Sequence, residues 1–521
     1  MNDTNKQTDV LQNGRVKNSL RNAVSGVFLV IFVTVMPFVI RTLMTYTIGF
    51  EYLGLNSLYM SIMQILNMTE LGIGSVMVFF LYAPAAVGDK GKINAYLSEL
   101  HKIYRVIGAV IILIGLVITP FIGLFITGSI PKGVDIYICF LLYLFGTAIQ
   151  YFVFPEEVSL IEAFQRKDLT NNISFISNAI CYLIQIIALC MFHSYVIYLI
   201  AVIVQSLSMG MLRRCYGMKY YPDYKPQGLL SVDDKREIKV KTASMIGHQM
   251  DEKLFNSIDT IFISSIIGLS AVAVYGNYFY VITAVSLLFD VIYRSILSSV
   301  GNAIAVDSND SNYKRFINIF WIGACLTGWA SVFMLCLYQN FMYLWMGSDN
   351  MLGIDMVVLF CVYFYLSNIR RTVVTFKNAA GMWWNDRYKP YISMGVDLIL
   401  DLVLIRFIGV KGAIISSIVC VGIIEIPWET FVLFREYFHV SIKQYIIKMI
   451  TYSAVNIGIV GLIYALCSLF VAETKVVSLL IRIMICCGSV LLFMAMYWRT
   501  KECQSWRLTF SKLIDSKRKA N

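Results

Sequence analysis

The sequence predicts an all-α polytopic membrane protein of about fourteen transmembrane helices. Three observations carry that expectation. Apolar residues make up 58% of 521 positions against 14% charged, and the mean hydropathy is +0.70, a balance that belongs to chains dissolved in lipid. Hydrophobic stretches of about 20 residues, the length that crosses a bilayer, recur along the chain. Most of the 43 Lys and Arg residues fall in every second gap between them. By the positive-inside rule those gaps are cytoplasmic, which places both termini inside.

The spans read in order as 22–43, 52–82, 104–127, 134–155, 172–192, 194–212, 245–267, 270–300, 316–338, 353–376, 388–408, 412–434, 447–471 and 476–498. Residues 1–21 are polar and read as a cytoplasmic lead-in rather than a cleaved signal. The longest polar stretch, Arg213 to Lys241, carries eight Lys and Arg. It separates six spans from the next six and preserves their orientation, which predicts a parallel repeat. The expected organisation is an N-lobe over 1–212, a basic cytoplasmic linker over 213–244, a C-lobe over 245–437, two further spans over 438–498 and a basic tail over 499–521. Short internal likenesses agree: Tyr52-Leu53-Gly54 with Val274-Tyr275-Gly276, and Gln165-Arg166-Lys167-Asp168 with Asn385-Asp386-Arg387-Tyr388.

Composition also excludes. The net charge of +11 lies on one side of the spans, where it meets anionic lipid, so no nucleic-acid partner is expected. The twelve Cys form no CxxC and read as packing; no metal and no cofactor are expected. The outer gaps are too short for a catalytic loop. There is no Walker loop, no HExxH and only four His, so the chain reads as a non-enzyme.

Function is then sought in charges inside the membrane, which are costly and usually face a cavity or a partner. At 100° per residue, His248, Gln249, Glu252, Lys253, Asn256, Ser257, Asp259 and Thr260 share one half of span 7. Two readings stand: a cavity lining, or an entry segment lying at the surface. Asp290 and Arg294 are spaced for an intrahelical ion pair on span 8. Asp397 and Asp401 repeat that spacing with like charge on span 11, so a proton, a cation or a nearby Arg must compensate, with Arg406 the neighbour to consider. Glu425 and Glu429 do the same on span 12 around Pro427, a kink site. Either pair could hold a coupling ion or point to buried polar partners. Glu70 sits alone in span 2 beside Gly72 and Gly74, whose missing side chains allow close helix contact.

The stretches IRTLMTYTIGFEYLGL (Ile40 to Leu55) and TELGIGSVMVFFLYAPAA (Thr69 to Ala86) resemble the polysaccharide repeat-unit flippases. These belong to the multidrug/oligosaccharidyl-lipid/polysaccharide exporter superfamily. SIDTIFISSIIGLSAVAVYGNYFYVI (Ser257 to Ile282), SSVGNAIA (Ser298 to Ala305), LWMG (Leu344 to Gly347) and AAGMWWNDRYKPYI (Ala379 to Ile392) continue the likeness. The resemblance implies two lobes around a central cavity. It also implies transport of undecaprenyl-diphosphate-linked oligosaccharides from the inner to the outer leaflet of the bacterial cytoplasmic membrane. It makes H+ or Na+, polysaccharide polymerase and glycosyltransferases the further partners to consider. Asp397 and Asp401 depart from it, since neutral residues are usual there.

A diphosphate crossing the membrane needs fixed cations along its path. Arg41, Lys253, Arg294, Arg370 and Arg371 are the candidates. Glu70, Glu252, Asp259, Asp290, Asp397 and Asp401 are candidates for ion coupling or polar lining. The competing classes are a drug or metabolite exporter of the same superfamily, whose cavity should be apolar and acidic, and a membrane polymerase or ligase, which would need a large outer loop.

Overall fold

The computed structural model describes residues 2–70, 72–249, 251–382, 384–470, 474–504 and 506–507; for 2–20, 69, 243–249 and 251–255 only the backbone is described. Among them there are helices and connecting turns and no strand. The helices divide between Ala273 and Val274 into two compact units.

The first unit holds α1 (Asn2–Thr47), α2 (Phe50–Leu66), α3 (Ile73–Val87), α4 (Lys90–Ile118), α5 (Ile136–Ala148), α6 (Glu156–Ala163), α7 (Lys167–Cys190), α8 (Tyr195–Tyr220), α9 (Val232–Gln249) and α10 (Asp251–Ile266). Their starts are set by side chains that satisfy first-turn amides left bare by the helix. Asp89 accepts from Lys92 N at 2.9 Å, Asp135 from Tyr137 N at 2.8 Å, and Ser194 from Ile197 N at 3.4 Å. The core gathers around Leu55, Tyr59, Met77, Leu100, Phe140 and Leu144, each fully buried. Span 2 is not one helix. After α2 the chain passes through a 3₁₀ turn, Asn67–Glu70, and Gly72 takes φ 87°, a left-handed conformation that favours glycine, before α3 starts. Gly72 therefore breaks the span, where the sequence reading used it for close packing. Gly54 does serve close approach: a Cβ there would sit 2.0 Å from Leu269 O.

α10 packs on α2. Thr127 N donates to Ser264 O at 3.0 Å and Ser264 Oγ to Phe125 O at 2.6 Å, which ties the end of α10 to the turn after α4. Span 7 thus groups with the first unit, although the sequence assigned it to the start of the C-lobe. The basic stretch 213–244 is also partly helical, since α8 runs on to Tyr220 and α9 begins at Val232.

The second unit follows from within α11 (Leu269–Val306). It holds α12 (Asn309–Met346), α13 (Ile354–Ile369), α14 (Arg371–Ala379), α15 (Lys389–Ile408), α16 (Lys411–Val419), α17 (Ile426–Leu433), α18 (Lys443–Leu469) and α19 (Lys475–Tyr497). α12 is its axis and packs on α13, α18 and α19. Phe316, Phe320, Phe376, Phe434 and Tyr445 form an aromatic core, with Phe316 edge-on to Phe376 at a 5.2 Å centroid distance. Pro427 lacks an amide and its ring crowds the carbonyl four residues back. The helix accommodates it with a π-helical turn over Cys420–Glu425, and a second follows at Phe434–Phe438. The expected kink is therefore a widened turn.

Ten described helices are long and apolar enough to cross a membrane, eleven if α5 and α6, bent by 44° at their break, form one span. The other three expected spans fall short for local reasons. Span 2 is broken, α10 is only 16 residues long, and α15 carries Lys389, Asp397, Asp401 and Arg406 within 20 residues. The chain is a multi-pass membrane protein on this evidence.

Candidate functional site

In the first unit the break in span 2 opens a pocket of about 590 Å³. Met60, Met63, Gln64, Asn67, Glu70 and Tyr143 are among the residues that line it. Glu70 is not alone there. Tyr151 donates its hydroxyl to Glu70 Oε2 at 2.7 Å, and that hydroxyl also lies 3.1 Å from Asn67 Oδ1. Tyr104 and Arg213 interact electrostatically with the same carboxylate. The sequence offered no hint of this cluster, because its five members come from four separate elements. Ser257 Oγ donates to Gln64 Oε1 at 3.1 Å, so the described part of the polar stripe on α10 turns toward α2. Asp259, on the same stripe, is fully buried. The side chains of His248, Gln249, Glu252 and Lys253 lie outside the described residues. Arg41, half-buried on α1, is within electrostatic reach of Tyr198.

At the turn before α7, Asp168 is buried between Arg21 Nε and Arg166 Nε, 2.9 Å from each. The Asp168 hydrogen bond leads the causes that raise the Arg166 guanidinium above its ordinary range. In the turn that the sequence matches with this one, Asp386 is likewise buried and paired, with Lys377. Each unit thus buries an aspartate at the matching turn.

The second unit rearranges the predicted cations. Asp290 pairs with Arg371, which also donates from Nε to Asn368 Oδ1 at 2.8 Å. The expected intrahelical pair between Asp290 and Arg294 is therefore replaced by one across helices. The half-buried Arg371 gains a second hydrogen bond and weaker solvent screening, which an exposed partner one turn away does not offer. Arg294 is left exposed on α11, with no ion pair to any described residue, on a stripe with Ser295, Ser298 and Asn302.

Arg370 is not a bare cation either. It pairs with Glu425, and its Nε lies 2.9 Å from Glu429 Oε2. Glu429 Oε1 also accepts from Lys389 at 2.8 Å and from Lys377 at 3.3 Å. Lys377 pairs with Asp386 as well, and Ser393 Oγ reaches Glu425 Oε1 at 3.2 Å. Three cations and three carboxylates are thus gathered, nearly all below 6% exposure. The partners of Glu425 and Glu429 are these cations, which removes the need for a coupling ion at that pair. Sequence reasoning missed Lys377, Asp386 and Lys389, which lie in or beside the turn between the spans read as 353–376 and 388–408. The usable signal was that two acids inside one span demand cations on the spans beside it.

Asp397 and Asp401 are fully buried and their carboxylate oxygens lie within 4.8 Å of each other. Asp397 Oδ1 accepts from Ser416 Oγ and, at 3.6 Å, from Cys420 Sγ. Arg406 is exposed and forms no ion pair with either acid. Two carboxylates this close favour sharing a proton or a cation over double ionisation.

The family described as "Polysaccharide biosynthesis protein" matches residues 19–297. None of the curated proteins matches the chain in sequence. Solved structures do match in fold. The chain is similar to the lipid II flippase MurJ in its inward closed conformation, with a TM-score of 0.67 at 15% identity, over 92% of this chain and 98% of that one. An inward-facing multidrug resistance MATE family transporter of the MOP superfamily gives 0.60 at 12%, over 76% and 93%. A MOP superfamily transporter from Pyrococcus furiosus, reported with a binding pocket of reversed polarity, gives 0.56 at 12%, over 82% and 97%.

Proposed function

The chain belongs to the polysaccharide biosynthesis protein family, and from that premise we propose that it flips undecaprenyl-diphosphate-linked oligosaccharide repeat units from the inner to the outer leaflet. The fold, shared with flippases and exporters, supports transport by alternating access rather than an enzymatic reaction. The cell location in this reading is the bacterial cytoplasmic membrane, with both termini inside.

The observation that carries the reading is Arg294. Of the expected path cations on described side chains in the second unit, Arg370 and Arg371 are neutralised by acids, whereas Arg294 stays exposed beside two serines and an asparagine. A fixed, exposed cation suits a diphosphate, whose transfer into low dielectric is otherwise prohibitive. A cavity for cationic drugs would favour an acid at such a position. The Gln64, Asn67 and Glu70 pocket supplies acceptors and amides suited to sugar hydroxyls. The buried Asp397 and Asp401 pair is the place where a shared proton or cation would couple to the cycle.

The test is flipping in proteoliposomes of a fluorescent polyprenyl-diphosphate oligosaccharide. Arg294→Gln should reach the membrane and melt like the wild type yet lose flipping. Arg294→Lys should keep part of it, because charge survives while the bidentate fork is lost. Unchanged flipping by Arg294→Gln sinks the cationic path, and efflux of a cationic dye in its place would favour the exporter.

A further inference from the structure

Three thiols from three helices meet inside the second unit. Cys336 on α12, Cys467 near the end of α18 and Cys486 on α19 have Sγ atoms all within 4.8 Å of one another. None exceeds 1% exposure. The helices are held at this crossing by contacts that do not involve the thiols. Trp329 Nε1 donates to Cys486 O at 3.3 Å, and Asn340 Nδ2 to Ser478 Oγ at 3.2 Å. Convergence of this kind is invisible in the chain, because the ligands share no local spacing.

Small buried thiols often only pack. Here a charge argues for more. Arg482 reaches into the same region, donates from Nη1 to Cys336 O at 3.1 Å, and interacts electrostatically with Cys467 and Cys486. Its Nε is buried with no acceptor, and it pairs with no carboxylate among the described residues. A guanidinium held within helices without an anion is costly. Thiolates would supply that anion.

The geometry points to a three-coordinate site for a soft monovalent d10 cation of the Cu(I) class, formed by Cys336, Cys467 and Cys486 with Arg482 as counter-charge. Metal–sulfur bonds of about 2.3 Å place three trigonal sulfurs roughly 4 Å apart, a small contraction from the spacing observed. Zn(II) would want a fourth ligand, and no other His, Cys, Asp or Glu among the described residues joins the group. Soft thiolates select Cu(I) over the harder divalent ions. Binding releases two thiol protons to solvent and keeps the third. One cation, two thiolates and Arg482 then sum to zero charge, as a site within the membrane requires. The bound ion would staple α18 and α19 to α12, and this inference is independent of the transported cargo.

The test uses the full-length protein in detergent under anaerobic conditions. Exposed thiols, including Cys190, Cys215 and Cys487, are first capped with N-ethylmaleimide under native conditions. Cu(I) is then titrated against a chromophoric chelator. We expect one equivalent to be retained per chain, with a thiolate-to-copper absorbance in the ultraviolet and a higher melting temperature. Cys336→Ala, Cys467→Ala and Cys486→Ala should each lose the equivalent, while the buried Cys181→Ala of the other unit should keep it. Retention at wild-type stoichiometry by all three variants overturns the site. So does a wild type that binds no Cu(I), or one whose mass shows a disulfide formed within the trio. Folding of each variant is checked by its elution as a single monodisperse species, and Arg482→Lys should retain binding, since it keeps the counter-charge.

Discussion

Replacing Glu429 by Gln removes one carboxylate from the cluster of six charges around it in the second unit. The wild-type set balances, with Arg370, Lys377 and Lys389 against Glu425, Asp386 and Glu429. In the variant Arg370 keeps Glu425 and Lys377 keeps Asp386, so one excess positive charge remains in a region where every side chain but Arg370, at 19%, is 1–6% exposed. Loss of one partner from a buried pair costs about 3–5 kcal/mol, because the other charge stays desolvated without compensation. At 2–4 °C per kcal/mol for a unit of this size, the melting temperature should fall by roughly 6–20 °C. The assay is heating of a detergent-solubilised fluorescent fusion, followed by size-exclusion chromatography of what remains monodisperse. Glu429→Gln combined with Lys389→Met restores the balance and buries an apolar stem in the same volume. That double variant should recover most of the loss. A single variant that melts with the wild type, or a double variant that melts no higher than the single, would refute the excess-charge reasoning.

Two further outcomes are expected. Asp290→Asn should lower the melting temperature by leaving Arg371 uncompensated, and Asp290→Asn with Arg371→Gln should restore it; recovery through Arg294→Gln instead would return the ion pair to one helix. Glu502, just beyond α19, has its carboxyl held below its ordinary 4.5: burial alone would raise it, and the hydrogen bond from Lys448 leads the opposing effects that win. A depressed pKa contributes stability above the unfolded value that is lost as pH falls through the folded one. The melting difference between wild type and Lys448→Met should therefore be full at neutral pH and shrink below about 4.5. A difference that stays constant across that range would mean that the pair contributes nothing by charge.

The hydropathy pattern finds most of the spans because lipid demands long apolar runs with internally satisfied backbones, and that demand is written locally. The turns that hold Asp168 and Asp386 can likewise be matched in sequence, although neither motif shows that its acid is buried. The interior was harder for a physical reason. An intramembrane charge announces that it has a partner, but not on which helix. Asp290 illustrates this: the i,i+4 rule names Arg294, while Arg371, 81 positions on, wins by approaching from a half-buried neighbouring helix. Arg370 looked like a path cation for the same reason, since Glu425 and Glu429 reach it only through packing. The cysteine trio was illegible altogether, as its three members share neither a motif nor a helix. Gly72 was ambiguous rather than hidden, because a glycine in a span serves close packing and chain reversal equally well.

Under the parallel repeat that the sequence predicts, that glycine has a second meaning. Gly72 lies eighteen positions after Gly54 in the first unit, and Arg294 eighteen positions after Gly276 in the second. The position that breaks the helix in one half thus carries the exposed arginine in the other. α11 can display Arg294 on a rigid continuous helix of 38 residues. The equivalent run in the first unit is split, and the split creates the pocket that exposes Glu70, two residues earlier. A continuous first-unit helix would have turned Glu70 toward packed neighbours, where an acid is expensive. Under the proposed transport, the arginine of the unbroken helix suits a diphosphate by its charge, and the acid and amides of the broken one suit sugar hydroxyls by their hydrogen bonds.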